Sequence, residues 1–561
     1  MNGREESCSA DASQRHLAVL RCLCLHKKSP RHSLNTRGDQ DGTSIARKEK
    51  IMSANNELSS VDIAIENITW LYAEDDLPWV IGYSGGKDST AVLQLVWTAV
   101  ANIPKAKRTK KIYVISTDTL VENPIVAAWV VESLKKINET ASDLDLGITA
   151  HRLTPKVEDR FWVNLIGKGY PAPRPKFRWC TSRLKISAST DFLRNVVSMR
   201  GEAILFLGTR SSESQARKKV MARHLGSTRS MLSKNSDPRL DRVWVFPPIA
   251  DWSNDDVWEY LVTTDNPWGH SNQALFELYK GATPDAECPL VVDSNTPSCG
   301  DSRFGCYVCT MVDKDKSLSA MIKNDEDKKW MIPLSRFRDE KLPTTNDTHL
   351  RDFRRMHRGI DKMVRTGEIS LIPGPYKQSY REALLKDLLT AQFDIQRSLN
   401  ENLADFELIS FEELREIRRI WVQEKCELED SLPAIYLEVT GTQFPDQTLL
   451  SNVPFSSDDL MLLKQICASE DDPENMQYQM LREMLTIEQS YRNASRRVGI
   501  YDQVLRCAKQ HAIKTREEAI AWKALTLNEQ ERHLVGEHIP AFDFPQNLAE
   551  EEGVSEQGNL R

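Results

Sequence analysis

Residues 79–89, Trp79-Val80-Ile81-Gly82-Tyr83-Ser84-Gly85-Gly86-Lys87-Asp88-Ser89, constrain this chain more than any other stretch. A short apolar run breaks into a Gly-Gly turn, and an apolar helical pattern follows through Ala91, Val92, Leu93, Leu95, Val96 and Ala99. That order predicts strand, phosphate-binding turn and helix. Without a Cβ, Gly85 and Gly86 reach φ > 0 and let backbone N–H groups approach an anion. The helix behind them aims its positive end at the same point, and Lys87 adds a full charge. The turn is not a Walker A loop, which needs Gly, four residues, then Gly-Lys-Ser/Thr; here Lys87 is followed by Asp88.

The rest of the chain alternates in a matching way. The patterns predict a helix over 63–72, strands over 80–83, 111–116, 147–153 and 203–207, and a helix over 124–138 with Pro124 in its first turn. Strands alternating with helices mean βαβ units and a mainly parallel sheet, an α/β fold. Ligands of such sheets bind at the carboxyl ends of strands. Ser84, Asp118 and Arg210 all fall at such ends, with Asp118 placed to touch a ribose or Mg²⁺, or only to cap its loop.

A chain of 561 residues exceeds one compact domain. With 28% charged and 40% hydrophobic residues it reads as globular, without an apolar window of membrane-spanning length, so a cytoplasmic location with no membrane partner is expected. Four of eleven cysteines, Cys288, Cys299, Cys306 and Cys309, crowd together in the pattern C-x10-C-x6-C-x2-C. In a reducing compartment such clustering points to metal, and four thiolates suit either structural Zn²⁺ or a [4Fe–4S] cluster. Net charge is −7, yet 168–242 holds 17 Lys/Arg against 5 Asp/Glu, a local excess of 12. Local charge decides what a cleft attracts, so the distribution favours a polyanion where the total does not.

The Ser84–Ser89 string resembles the pyrophosphate loop of the ATP pyrophosphatases, a superfamily that includes GMP synthetase, tRNA thiolases and phosphoadenylyl-sulfate reductases. Three further strings resemble the reductase branch: Arg178-Trp179-Cys180-Thr181 with Leu184-Lys185; Gly208-Thr209-Arg210 with Glu213-Ser214 and Arg217; and Pro248-Ile249-Ala250-Asp251-Trp252-Ser253 with Asp256-Val257-Trp258. That likeness covers about 60–320. Beyond it come a basic, helical-looking pattern (Arg351, Arg354, Arg355, His357, Arg358, Lys362, Arg365), the segment Ile372-Pro373-Gly374-Pro375-Tyr376, and a helix opening at Tyr380. Taken together in this order, the loop, the cysteine quartet and the Pro-Gly-Pro-Tyr segment resemble the DndC family, the ATP-pyrophosphatase subunits of DNA phosphorothioation, over about 52–545.

The resemblance implies a sulfurtransferase that cleaves ATP to AMP and pyrophosphate, acts on DNA, takes sulfur from a cysteine desulfurase and works with DndD and DndE subunits. It implies ATP and Mg²⁺ held by Ser84, Gly85, Gly86, Lys87, Asp88, Ser89, Asp118 and Arg210. Lys87, Asp88, Cys180 and Arg210 would act in catalysis, and the reductase-like core favours [4Fe–4S] over Zn²⁺ at the quartet. Cys180 is either a cluster ligand in place of Cys288 or Cys299, or a free thiol that carries sulfur. The expected layout is an extension over 1–55, disordered or misassigned with Met52 as the true start; a PP-loop domain over 56–320; a basic linker over 321–395; a helical domain over 396–545 that docks a partner or grips DNA; and an acidic tail over 546–561. The basic segments 168–242 and 351–365 are expected to bind DNA phosphates. Cys426, Cys467 and Cys507 are too scattered to form a site. The competing readings are a sulfonucleotide reductase, an RNA thiolase and a non-enzymatic DNA-binding scaffold.

Overall fold

The apolar run ahead of the Gly-Gly turn is β1 (Trp79–Gly82), and Trp79, Val80 and Ile81 are fully buried. A strand apolar on both faces belongs in the middle of a parallel sheet covered on both sides. β1 pairs in parallel with β2 (Ile112–Thr117) on one side and β4 (Ala203–Phe206) on the other. β3 (Ile148–Leu153) extends the sheet beyond β2, and β6 (Val243–Phe246) with the two-residue antiparallel β5 (Ser233–Lys234) extends it beyond β4. The order is β3-β2-β1-β4-β6-β5, a mainly parallel sheet flanked by helices, as expected. This computed structural model describes residues 59–535 except 214–230, 284–303, 399–405, 447–454 and positions 344, 366 and 493. The expected extension, the acidic tail, Cys288, Cys299, Ser214 and Arg217 lie outside the described residues.

Helices cover the sheet because their sequences carry matching apolar faces. α1 (Ser60–Glu74) and α2 (Lys87–Ala101) pack together. Nearly every residue of α2 is buried, which explains its unbroken apolar run. α3 (Pro124–Asp143) starts with Pro124 behind Asn123, whose side chain accepts a hydrogen bond from Ile125 N–H. α4 (Ser187–Arg200) continues a π-helical turn over Thr181–Ile186. α5 (Asn254–Thr263) opens with a reciprocal Ser253–Asp256 capping box, and α6 (Asn272–Gly281) follows.

A second hydrophobic core draws on residues far apart in the chain: Phe161, Trp162, Leu165, Ile166 and Trp179 from one side of position 320, and Leu384, Leu385, Leu388, Ile417 and Trp421 from the other. α7 (Lys316–Asn324), α8 (Ile332–Lys341), α9 (Gln378–Gln396), α10 (Phe411–Arg419) and α11 (Leu432–Thr440) build it. Two indole N–H groups stitch the halves together: Trp162 donates to Leu408 O at 2.7 Å and Trp421 to Ile166 O at 2.9 Å. Further helices follow: α12 (Ser457–Cys467), α13 (Met476–Tyr491), α14 (Ile500–Gln510), α15 (Arg516–Leu525) and α16 (Glu529–Val535).

The helical pattern expected over 351–365 is not a helix. Arg351 bridges to Tyr376, Arg358 takes a left-handed φ of 64°, and β7 (Lys362–Arg365) pairs with β8 (Glu368–Leu371). The arginines turn to tertiary partners instead of lining one helical face. Arg351 donates to the Gly374 and Pro373 carbonyls, and Arg354 reaches Asp352 at 2.8 Å and Gln479 at 2.7 Å. Arg355 pairs with Asp361, Arg358 with Glu483 and Lys362 with Glu531. The Pro-Gly-Pro-Tyr segment is a clamp: Tyr376 N–H donates to Gly169 O at 2.7 Å, and Ala172 N–H donates to the Tyr376 hydroxyl at 3.0 Å.

A candidate nucleotide and thiol site

The strand order reverses between β1 and β4, and a crevice at that point is where sheets of this kind take their ligands. Two glycines make the crevice narrow. Gly85 has φ +72°, and a Cβ there would lie 2.5 Å from Val130 Cγ2. A Cβ on Gly208, just past β4, would lie 2.9 Å from the Asp88 carbonyl group. The end of β4 therefore rests on the backbone of the loop.

Within the loop, the Ser89 hydroxyl donates to Gly86 O at 2.9 Å and accepts from Ser84 N–H at 3.2 Å. Asp88 serves two cations. Its Oδ2 is 3.2 Å from Lys87 Nζ, and its Oδ1 accepts from Arg210 Nε at 2.7 Å. Arg210 also donates to Ser212 Oγ at 3.0 Å. Lys87 and Arg210 are both buried. One carboxylate thus divides its charge between two cations at a helix N-terminus, an arrangement suited to polyphosphate. Ser84, Gly85, Gly86, Lys87, Asp88, Ser89 and Arg210 come together here. Asp118 does not join them through any hydrogen bond or ion pair among the described residues. Its Oδ1 accepts from Leu120 N–H at 2.7 Å and its Oδ2 pairs with Arg152 at 2.5 Å.

The thiols stand at the end of the neighbouring strand. The Cys306–Cys309 turn, closed by Cys309 N–H donating to Cys306 O at 3.0 Å, docks on residues 121–123 through a Glu122–Cys306 bridge and the bond from Tyr307 N–H to Val121 O. Arg338, 2% exposed, donates to Cys309 O at 2.9 Å and holds the turn from behind. Cys306 Sγ lies 3.4 Å from Thr119 Oγ1, and Lys185 Nζ lies 3.2 Å from Glu122 Oε1. Burial, reinforced by the Glu122 carboxylate, pushes the Cys306 thiol up to about 12. Burial also raises Cys180, with Cys309 near enough to add to the effect. Burial pulls Lys185 down, but Glu122 and the thiols of Cys306 and Cys180 outweigh it and hold the ammonium above its ordinary range.

Two aromatic rings join the halves of the site, and sequence reasoning missed both. Tyr279, near the end of α6, accepts a hydrogen bond from Lys87 N–H at 3.3 Å while its ring lies 5.7 Å from Lys87 Nζ. Phe304, two residues before Cys306, meets the Tyr279 ring edge-on at 4.7 Å. Burial holds the Tyr279 phenol well above its usual range, so it stays protonated. Nothing local in the sequence marks Tyr279, which lies 192 positions from Lys87.

The donor set of the turn fits a thiophilic metal centre. Cys306 and Cys309 share one turn with Cys180 beside it, thiols of the kind such a metal takes. Among the described residues, the set of three possible ligands with ligating atoms within 4.8 Å of one another is a different one, Glu483, Cys507 and His511. There the Arg358 guanidinium already bonds both Glu483 and His511 Nε2. A cation fills the place an ion would take. Cys507 is thus not isolated, and its i, i+4 spacing to His511 was the overlooked signal.

Residues 78–311 match the model of the phosphoadenosine phosphosulfate reductase domain. Similar solved structures include phosphoadenylyl-sulfate reductase from Candida auris in its phosphate complex, 14% identical over 41% of this chain and 88% of that one, with a TM-score of 0.25. Another is Candida glabrata FMN adenylyltransferase with FAD and inorganic pyrophosphate, 13% identical over 47% of this chain and 73% of that one, with a TM-score of 0.24. No curated protein matches. The matched segment begins one residue before β1 and ends two residues after Cys309, so loop, Arg210 and thiol turn all fall within the reductase-type domain. No helix among the described residues is long and apolar enough to cross a membrane.

Proposed function

We propose that this chain is a sulfurtransferase that cleaves ATP between its α and β phosphates to activate a DNA phosphodiester for replacement of a non-bridging oxygen by sulfur. One observation carries the reading: the Tyr279–Phe304 ring pair joins an anion-binding loop to a cysteine turn at one end of one sheet. Activation and sulfur delivery need those two chemistries side by side.

A non-bridging phosphate oxygen leaves poorly. When it attacks the α-phosphate of ATP, the α–β bond breaks, pyrophosphate departs and the oxygen becomes part of an AMP leaving group. Ser84–Ser89 hold the departing pyrophosphate, and Lys87 and Arg210 balance its charge with Asp88 fixing both side chains. Aimed donors and cations of this kind are worth about 3–4 kcal/mol each. A sulfur nucleophile, the terminal sulfur of a persulfide supplied by a cysteine desulfurase, then attacks phosphorus and expels AMP. A second thiolate breaks the S–S bond, leaving sulfur on the phosphate and a protein disulfide for an external thiol to reduce. In this reading Cys180, half-buried beside the turn, carries that sulfur. Cys306 and Cys309, with Cys288 and Cys299, would hold a [4Fe–4S] cluster or Zn²⁺, which stabilises thiolates; Mg²⁺ would accompany ATP on its phosphates. DndD- and DndE-type subunits would complete the assembly.

The test is product analysis of ATP incubated with anaerobically purified protein and DNA. AMP and pyrophosphate that vanish with Lys87→Ala support the reading, whereas ADP and phosphate sink it. A second reading is favoured by the match over 78–311: reduction of a sulfonucleotide by the same thiols. Consumption of phosphoadenylyl sulfate with thioredoxin, and no ATP cleavage, would establish that one instead.

A further inference from the structure

Arg351, Arg354, Arg355, Arg358 and Lys362 are spent on internal partners, and the C-terminal helices offer a further candidate for a DNA grip. α13 and α14 pack on each other, with the short stretch 494–499 leading into α14. α14 turns Cys507 inward, and past its end His511 is buried as well. His511 Nδ1–H donates to Cys507 O at 2.8 Å, and Arg358 donates to Nε2 at 2.9 Å, which anchors the base of the hairpin. The tip faces the other way. Arg492, Arg496 and Arg506 are exposed and make no ion pair among the described residues, and Arg497 has only Glu488, at 3.7 Å. Between them stand Val498 at 79% exposure and Tyr501 at 87%, with Leu505 one turn further along α14.

Four exposed arginines around an exposed ring make a basic surface of the kind that takes a polyanion. Guanidinium forks match phosphate oxygens, and an aromatic ring with an aliphatic neighbour suits bases and sugars. Three apolar side chains fall far short of the roughly 800 Å² per partner of a stable protein interface. We propose that this tip grips duplex DNA, with Arg492, Arg496, Arg497 and Arg506 on phosphates and Val498 and Tyr501 against the groove. The inference rests on the reading of the chain as an enzyme of DNA.

The test is the affinity of the full chain for a fluorescent DNA duplex at several salt concentrations. Replacing Arg492, Arg496 and Arg497 with Ala should weaken binding by about tenfold or more, and should flatten the slope of log affinity against log salt by about 3, near one per lost phosphate contact. The matching triple Arg→Lys variant keeps the charges and should keep the slope. Tyr501→Ala should weaken binding several-fold with the slope unchanged, because an uncharged contact in the groove releases no counterions. Lys105→Ala with Lys107→Ala, exposed before β2 at the opposite end of the sheet, is the charge control and should change neither. Thermal melts of the variants should match the unsubstituted chain. If the triple Ala variant binds DNA with the original affinity and slope, the grip is refuted while the DNA reading stands. Loss of an acidic protein partner by that variant, with DNA binding intact, also overturns it. If the unsubstituted chain has no affinity for DNA, the underlying reading falls and the grip falls with it.

Discussion

Two groups of cations, Lys87 with Arg210 at the Ser84–Ser89 loop and the basic residues of 351–365, look alike as bare counts of charge. In the folded chain they are opposites. At the loop, two buried cations, Lys87 and Arg210, share the Asp88 carboxylate. In the later stretch four cations each have a carboxylate of their own: Asp352 for Arg354, Asp361 for Arg355, Glu483 for Arg358 and Glu531 for Lys362. The first arrangement gathers two cations on one carboxylate where a helix begins. The second is a set of struts. The number of positive charges says little until their partners are counted.

The sharpest way to break this contrast is a pair of substitutions. Lys87→Ala should cut ATP cleavage by about 10²–10³-fold and leave stability nearly unchanged, because it removes a cation aimed at developing charge. Arg354→Ala should do the reverse. Its guanidinium is 2% exposed, and losing it strands Asp352 and Gln479, so unfolding should become easier by about 3 kcal/mol by chemical denaturation, with ATP kinetics intact. Equal effects on rate and stability from both substitutions would erase the distinction.

A pH series sharpens it further. Burial, with the Arg354 and Arg358 cations adding to it, pushes His511 down to about 4. Unfolded, it titrates near 6.5, so between those values only the unfolded chain takes up the proton. The stability that neutral His511 contributes is therefore complete above about 6.5 and is lost as pH falls toward 4. Between about pH 7 and pH 5 the loss should be about 2 kcal/mol, and His511→Asn should remove that part of the pH dependence. A slope equal to that of the unsubstituted chain would show that His511 is charged in the fold. The smallest effect concerns the loop. On the proposed reading the Tyr279 hydroxyl competes with phosphate for Lys87 N–H, so Tyr279→Phe should tighten nucleotide binding by about threefold to tenfold in a titration. Weaker binding would mean instead that the hydroxyl itself touches the nucleotide.

The sheet was legible because buried parallel strands are continuous apolar runs. β1, β2, β3 and β4 fall within a residue or so of their expected spans, and the loop's glycines announce themselves. The stretch over 351–365 misled because arginines spaced three and four apart imitate a helix face, and nothing in the local sequence says that they will reach for Gly374 O or Gln479. Tyr279, Arg338 and the Thr119–Cys306 contact were invisible for a related reason. Each acts on a group 29 to 192 positions away, and periodicity carries no information about such meetings.

The second core has a practical consequence for anyone who would cut this chain. The segment that matches the reductase domain ends at 311, yet Trp162, Leu165 and Ile166 inside it are covered by Leu384, Leu388 and Trp421 beyond it. Burying side chains of that size is worth about 1.5–3 kcal/mol each, and three of them reach the lower end of a domain's usual net stability of about 5–15 kcal/mol. A chain stopped at 311 would keep the whole sheet and every loop residue while turning an oily flank to water, and it should come out of solution. The half that looks like a free-standing enzyme is, in this protein, on loan from the half that does not.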